Sequence, residues 1–183
     1  LFPYTALFRS LLTRFFAAVG GCSTLYIPDR QREGYGPNAP ALLRLKEQGA
    51  GVAVTVDCGI TAHAPLAAAA KAGLDVIVVD HHIGEPNLPA ALAVVNPNRL
   101  DEGGAHTTLA AVGVTFLLVV AVNRVLRRRG RYATRPEPNL LDWLDLVALG
   151  TICDVVPLTG LNRALVTQGL KVLRHRRNAG LAA

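Results

Sequence analysis

Through the first half of the chain, short apolar runs alternate with stretches of helical spacing. Residues 52–56, 76–79 and 91–95 are apolar or β-branched at successive positions instead of at every second one. Runs of that length and make-up predict strands covered on both faces. Between them, residues 41–48 and 64–72 have helical spacing and end at Gly49 and Gly73, residues suited to the left-handed step that closes a helix. Strands alternating with helices predict βαβ units, hence an α/β fold with a parallel sheet flanked by helices. Right-handed crossovers place the carboxyl ends of such strands along one edge, where ligands bind in open α/β sheets.

The flanking segments are less regular. Residues 11–19 predict a helix stopped by Gly20-Gly21. Residues 24–27 form a short β-prone run closed by Pro28, and residues 30–40, with Gly34, Gly36, Pro37 and Pro40, read as a loop. After Asn98 the character changes to helical. Residues 108–128 predict one long helix with Thr107 or Thr108 as N-cap. Residues 127–138 form a basic, proline-containing connection, and residues 140–149 and 162–173 predict two more helices.

Composition narrows the class. With 183 residues, 51% hydrophobic and 17% charged, the chain has ample core-forming material, which excludes disorder. The longest apolar run, residues 109–122, is 14 residues long. A spanning helix needs roughly 18 or more, so a buried core helix is expected and a membrane protein is not. No secretory signal is recognisable. Cys22, Cys58 and Cys153 are odd in number and show no CxxC spacing, which argues against a disulfide framework and fits a reducing cytoplasm. A net charge of +6 and a pI near 9.7 favour a polyanionic partner such as nucleic acid.

Three clusters bring chemistry to element ends. Asp57 follows the 52–56 run, and Gly59 permits a tight turn after it; a helix cap is the bland reading. Asp80-His81-His82 follows the 76–79 run and delivers an acid and two imidazoles to the same edge. Imidazole is a common metal ligand, and a nearby carboxylate orients its second nitrogen. Adjacent histidines at a strand end diverge, so one can ligate while the other faces a substrate; a polar surface turn is the alternative. Asp154 lies in the apolar stretch from Leu149 to Leu158, where an ionised carboxylate needs a partner, a cap or a metal. Carboxylate and imidazole without a thiolate cluster suit Mn²⁺ or Mg²⁺ better than a structural zinc.

Asp80-His81-His82 resembles the signature of the DHH phosphoesterases. The ordered set of other segments resembles their RecJ-like branch: Ile27-Pro28-Asp29-Arg30, Glu33-Gly34-Tyr35-Gly36-Pro37-Asn38, Val56-Asp57-Cys58-Gly59-Ile60 and Asn96-Pro97-Asn98. Ala111-Val112-Gly113-Val114, Asp145 to Thr151, Asp154-Val155-Val156-Pro157-Leu158 and Asn162-Arg163 continue it in order, so the resemblance covers residues 11–173. It implies a single-strand-specific 5′→3′ DNA exonuclease of repair and recombination, hydrolysing phosphodiester bonds with two divalent ions, Mn²⁺ or Mg²⁺. It also implies Asp57, His81 and Asp154 as metal ligands, His82 beside the scissile phosphate, and Asp80 supporting the histidines. Arg30 matches a position suited to the terminal phosphate.

The chain also departs from that pattern. Residues 1–10 resemble the translation of a sequencing-library adapter, differing at Ala6, and are expected to be foreign to a natural sequence that starts near Leu11. A genuine amphipathic N-terminus is the alternative. The family's Asp-Tyr-Asp-x-Asp-Gly motif belongs near positions 3–8, so a first strand and at least two carboxylate ligands are expected to be missing, as are the later DHHA1 and OB-fold portions. Residues 11–175 read as a partial DHH domain and 176–183 as a truncated continuation, and the chain as it stands is expected to be inactive or nearly so. Two other readings stay open: a DHH phosphatase acting on small phosphate esters or oligonucleotides, and a non-catalytic nucleic-acid-binding module. Arg124, Arg127, Arg128, Arg129 and Arg131 form a basic segment that either contacts a phosphate backbone or complements a helix dipole.

Overall fold

Val76, Val78 and Val79 are at most 2% exposed, because their strand is flanked on both sides. A computed structural model, which describes residues 5–182, arranges three strands in the order β1 (Val52–Val56), β2 (Asp75–Val79), β3 (Ala93–Val95), all parallel. The register pairs Val56 with Val79 and Val79 with Val95, so all three strands finish at one level. This is the parallel sheet that the sequence predicts. Two expectations need correcting: residues 52–56 and 91–95 read as strands covered on both faces, but β1 is only half-buried, with Val52 51% exposed, and β3 is shorter than expected, with Ala93 exposed and Val94 and Val95 half-buried. Among the described residues, β1 and β3 each have a neighbouring strand on one side only.

The chain divides into two compact units. In the first, residues 26–107, Leu42, Leu66, Ala69, Leu74, Val76 and Val78 form the core. The helices α2 (Arg30–Glu33), α3 (Ala39–Glu47) and α4 (His63–Lys71) precede and link the strands. Helix α3 starts where Asn38 Oδ1 accepts from Ala41 N at 2.8 Å, with a proline in its first turn. Helix α2 interrupts the loop expected over 30–40. Asp29 caps it by accepting from Gln31 N at 3.0 Å, and Glu33 reaches back to Asp29 N at 2.6 Å. That reciprocal pair holds one helical turn between glycine- and proline-rich flanks. The β-prone run 24–27 forms no strand. Leu25 and Ile27 are 53% and 44% exposed, and Tyr26 instead donates its hydroxyl to Glu33. Apolar β-branched composition makes a strand only where a ladder partner is at hand.

The second unit holds, among the described residues, 5–25 and 108–182, with α1 (Thr5–Ala18), α5 (Ala111–Arg128), α6 (Leu144–Cys153), α7 (Gly160–Leu173), α8 (Ala179–Ala182) and two 3₁₀ turns, Arg131–Ala133 and Leu140–Trp143. Leu11, Phe15 and Val19 make a buried stripe at a spacing of four. Helix α1 begins inside the 1–10 segment; residues 1–4 of that segment lie outside the described residues. Helix α7 packs on α6 so closely that a Cβ at Gly169 would meet the Leu144 carbonyl oxygen. Helix α5 starts at Ala111, and neither Thr107 nor Thr108 caps it. Their carbonyls accept from Asn98 and Asn162 instead, at 2.9 and 2.7 Å. The helix expected over 140–149 is a 3₁₀ turn followed by α6. No described helix is long and apolar enough to cross a membrane.

Candidate metal centre

Strand β1 ends by adding one more rung to the ladder: Asp57 N donates to Val79 O at 2.9 Å. The backbone then turns sharply. Asp57 has φ +64°, which aspartate tolerates better than most residues. Gly59 has φ +118°, and a Cβ there would lie 2.8 Å from Thr55 Oγ1 and 3.2 Å from Val78 Cγ1, so the turn closes only on glycine. The tight return presents Ile60 N to Asp80 at the end of β2.

Asp80 is fully buried and organises this edge of the sheet. Its Oδ2 accepts from Ile60 N at 3.0 Å. Its Oδ1 accepts from His81 N at 2.8 Å, from His82 N at 3.3 Å and from His82 Nδ1 at 2.7 Å. A buried carboxylate is tolerable when donors surround it in this way. An ionised carboxylate only accepts, so the His82 contact puts the proton on Nδ1 and leaves the Nε2 lone pair available.

Among the described residues, Asp57, His81 and His82 each offer one ligand atom, and the three lie within 4.8 Å of one another. Asp57 Oδ1 is buried without accepting a hydrogen bond, yet it lies 3.2 Å from His81 Nε2. An acceptor so placed, facing an imidazole nitrogen, fits a divalent cation in the role of the missing donor. Oxygen with imidazole is a donor set that Mn²⁺ accepts. The Asp57 and His81 side chains are 12% and 13% exposed and that of His82 is 49%, so His82 is the one that faces outward. The two rings meet edge to face with centroids 4.6 Å apart, closer together than the divergence that the sequence suggests.

Arg30 belongs to the same neighbourhood. Its guanidinium carbon sits 5.3 Å from the centroid of Tyr35, and the Tyr35 hydroxyl donates to Asp57 O at 3.1 Å. The ring is largely exposed, but the hydroxyl is pushed up to about 12, first by its own desolvation and then by the Asp57 carboxylate, so it stays a donor. Sequence reasoning missed Tyr35. Its signals were its place in the family-like segment from Glu33 to Asn38 and an aromatic ring in a glycine-rich loop five positions after an arginine.

Sequence reasoning also gave no role to Asn96 and Asn98, just past β3. Asn96 Nδ2 donates to His82 O at 2.8 Å, and Asn98 Nδ2 donates to His81 O at 2.5 Å. A polar residue 5% exposed at a strand end, as Asn96 is, was the readable sign only once burial was known.

Asp57, Asp80, His81, His82 and Arg30 fall in one unit, and Asp154 in the other. Asp154 is the half-buried C-cap of α6, its N–H bonded to Gly150 O at 3.0 Å. Val155 follows at φ +57°, 88% exposed, a strained conformation for a β-branched residue. Helix α7 grips the loop beyond: Asn162 Nδ2 donates to Pro157 O at 3.0 Å and Arg163 Nε to Leu158 O at 3.1 Å. In the same unit the basic segment is partly engaged. Arg127 pairs with Glu137, and Arg131 donates to Val19 O at 2.8 Å. Arg124, Arg128 and Arg129 are exposed.

Residues 5–151 match the model of the DHH family, N-terminal domain. The chain is similar to single-stranded-DNA-specific exonuclease RecJ of Dickeya dadantii, 44% identical over 160 residues that cover 86% of this chain and 28% of that protein. It is likewise 44% identical over 158 residues to RecJ of Escherichia coli, covering 84% of this chain and 27% of the relative. With RecJ of Thermus thermophilus it shares 40% over 164 residues, 88% of this chain and 22% of the relative. Among solved structures, exonuclease RecJ bound to manganese superposes with a TM-score of 0.80 at 38% identity, covering 96% of this chain and 42% of that one. RecJ from Thermus thermophilus in complex with Mn²⁺ gives 0.72 at 35% identity, covering 96% and 24%. The chain spans about a quarter of the length of these curated relatives.

Proposed function

The chain belongs to the DHH family, and on that premise we propose that it is part of a 5′→3′ single-stranded-DNA exonuclease that hydrolyses phosphodiester bonds with two divalent ions, Mn²⁺ or Mg²⁺. The observation that carries this reading is the convergence of Asp57, His81 and His82 beside the buried Asp80. The similarity to RecJ proteins, two of them solved with manganese, supports it.

In this reading Asp57 and His81 hold metal. Bound divalent ions neutralise phosphoryl charge and make a water nucleophilic at neutral pH. The chain's own residues do the rest. Asp80 fixes the tautomer of His82, so that Nε2 faces the substrate side. Arg30, stacked on Tyr35, offers a planar fork to the terminal phosphate of a strand. Tyr35 keeps a proton and steadies the Asp57 main chain. A net charge of +6 draws a polyanionic strand toward the protein. Cys22, Cys58 and Cys153 are thiols, which fits a reducing compartment, and in this reading the protein works in the cytoplasm, in DNA repair and recombination.

The first carboxylate in the sequence is Asp29, so the aspartate-rich motif of the family has no counterpart ahead of β1. The chain as it stands therefore takes up Mn²⁺ weakly and degrades DNA at or near background. The test is a chain carrying that motif in front of residue 11. Titrated with Mn²⁺ and given a 5′-labelled single strand, it should release nucleotides from the 5′ end. Cleavage restricted to dinucleotides would point to a small-substrate phosphatase. Salt-dependent DNA binding without metal uptake would point to a binding module.

A further inference from the structure

We propose that Asn96 and Asn98 are positioning residues that lock the main chain of His81 and His82, and through it the ligand geometry of the centre; this rests on the metal-centre reading above. Strand β2 ends at Val79, and the chain leaves the sheet just where it carries its two histidines. Asp80 N still donates to Val95 O at 3.0 Å, the last rung of the ladder, and at the next two residues side chains meet the main chain. On the N–H side, Asp80 Oδ1 accepts from His81 N and His82 N at 2.8 and 3.3 Å. On the carbonyl side, Asn98 Nδ2 donates to His81 O at 2.5 Å and Asn96 Nδ2 to His82 O at 2.8 Å. Both polar groups of both histidine backbones are thereby held, one set by an acid and the other by two amides.

The two amides also hold each other. Asn96 Oδ1 accepts from Asn98 N at 2.8 Å, and Asn98 Nδ2 makes a second bond to Thr107 O at 2.9 Å. Pro97 between them fixes its own φ and contributes no competing donor. Register explains the placement: Val95 pairs with Val79, so the residues just past β3 lie beside those just past β2. The chemistry demands asparagine at 96. Aspartate has the same shape and could accept from Asn98 N, but it has no donor for His82 O. A histidine whose peptide planes are fixed on both sides presents its ring in one orientation, and that preorganisation is what a metal ligand gains from outer partners.

The test compares Asn96→Asp and Asn98→Asp with the unaltered chain, and with Asn123→Ala, whose amide bonds Glu137 in the other unit at 2.7 Å. Two quantities are read: hydrogen exchange of the His81 and His82 amides in metal-free protein, and Mn²⁺ affinity by calorimetric titration. The expected result is faster exchange at both amides and about tenfold weaker Mn²⁺ binding in each Asp variant. Asn123→Ala should change neither, even if its melting temperature falls as far. Should Asn96→Asp fail to fold, Asn98→Asp, at the half-exposed outer end of the pair, carries the comparison. Unchanged exchange overturns the proposal, and so does faster exchange with unchanged affinity, since the amides would then hold only the loop. If neither the unaltered chain nor the chain carrying the aspartate-rich motif in front of residue 11 takes up Mn²⁺, the metal reading fails, and exchange alone decides whether the amides hold the histidines; where only the latter binds, the affinity comparison is made in it.

Discussion

Replacing Asp80 by Asn keeps its shape and removes its charge, which isolates what the carboxylate does. Four N–H groups point at it, from Ile60, His81, the main chain of His82 and its imidazole. An amide can keep only one oxygen. The better arrangement leaves that oxygen on the three histidine donors and turns the NH₂ toward Ile60 N, where two donors then face each other. Hydrogen bonds to a charged acceptor contribute about 1.5–3 kcal/mol each and neutral ones about 0.5–1.5, so three weakened bonds lose about 3 kcal/mol. The stranded Ile60 N–H in a buried site adds about 1–3 kcal/mol. Removing a buried charge regains part of its desolvation cost. The expected net loss is therefore about 3–4 kcal/mol, against a total of about 5–15 for an ordinary domain. Urea unfolding followed by circular dichroism reads it, with hydrogen exchange in residues 57–60 and 80–84 reporting whether the loss is local. If Asp80→Asn leaves stability unchanged or raises it, burial of the charge outweighs its four donors, and the account of this edge is wrong.

Three further outcomes follow from the backbone and its charges. Gly59→Ala should cost about 2 kcal/mol or more in thermal or urea unfolding, because its Cβ would sit 2.8 Å from Thr55 Oγ1 at φ +118°; a loss below half of that would contradict the tight turn. Val155→Gly should raise stability by about 0.5–1 kcal/mol, since it relieves a β-branched residue at φ +57° while adding freedom to the unfolded chain; a lower melting temperature would count against strain there. Glu33 is held below its ordinary carboxylate value, first by the Tyr26 hydroxyl and then by Asp29 N–H. Its contribution is present above that ordinary value and is lost as pH falls through the depressed one. Glu33→Gln should therefore reduce the acid-side slope of stability against pH; an unaltered acid-side slope would refute it.

Much of the first unit was legible because its signals are local. The run 52–56 is β1 to the residue, and 76–79 misses β2 by one position, since buried valines have few other places to go. Asp57 and Asp80-His81-His82 stood out as candidates because a charged residue right after such a run is itself a signal. What escaped was set by partners distant in sequence. Nothing near residue 26 says that its hydroxyl will bond Glu33 and leave 24–27 without a strand. Thr107 and Thr108 read as helix caps, but their carbonyls were taken by Asn98 and Asn162. The Asn96–Asn98 pair and Tyr35 act through main-chain carbonyls, which carry no sequence identity, so pattern alone could not assign them. Asp154 was legible as an acid in an apolar stretch, and the structure adds that it closes α6.

Asp80 joins two turns that leave different strands, one through Ile60 N and the other through the two histidine amides. A residue inserted or deleted in either turn would pull that single carboxylate off the other. Drift in loop length is thereby barred from both turns at once and steered elsewhere, for instance to the exposed stretch 99–106, which bonds to the centre only at its ends. Homologues should accordingly vary in length there while keeping the spacing from Asp57 to Ile60 and from Asp80 to Gly84 constant.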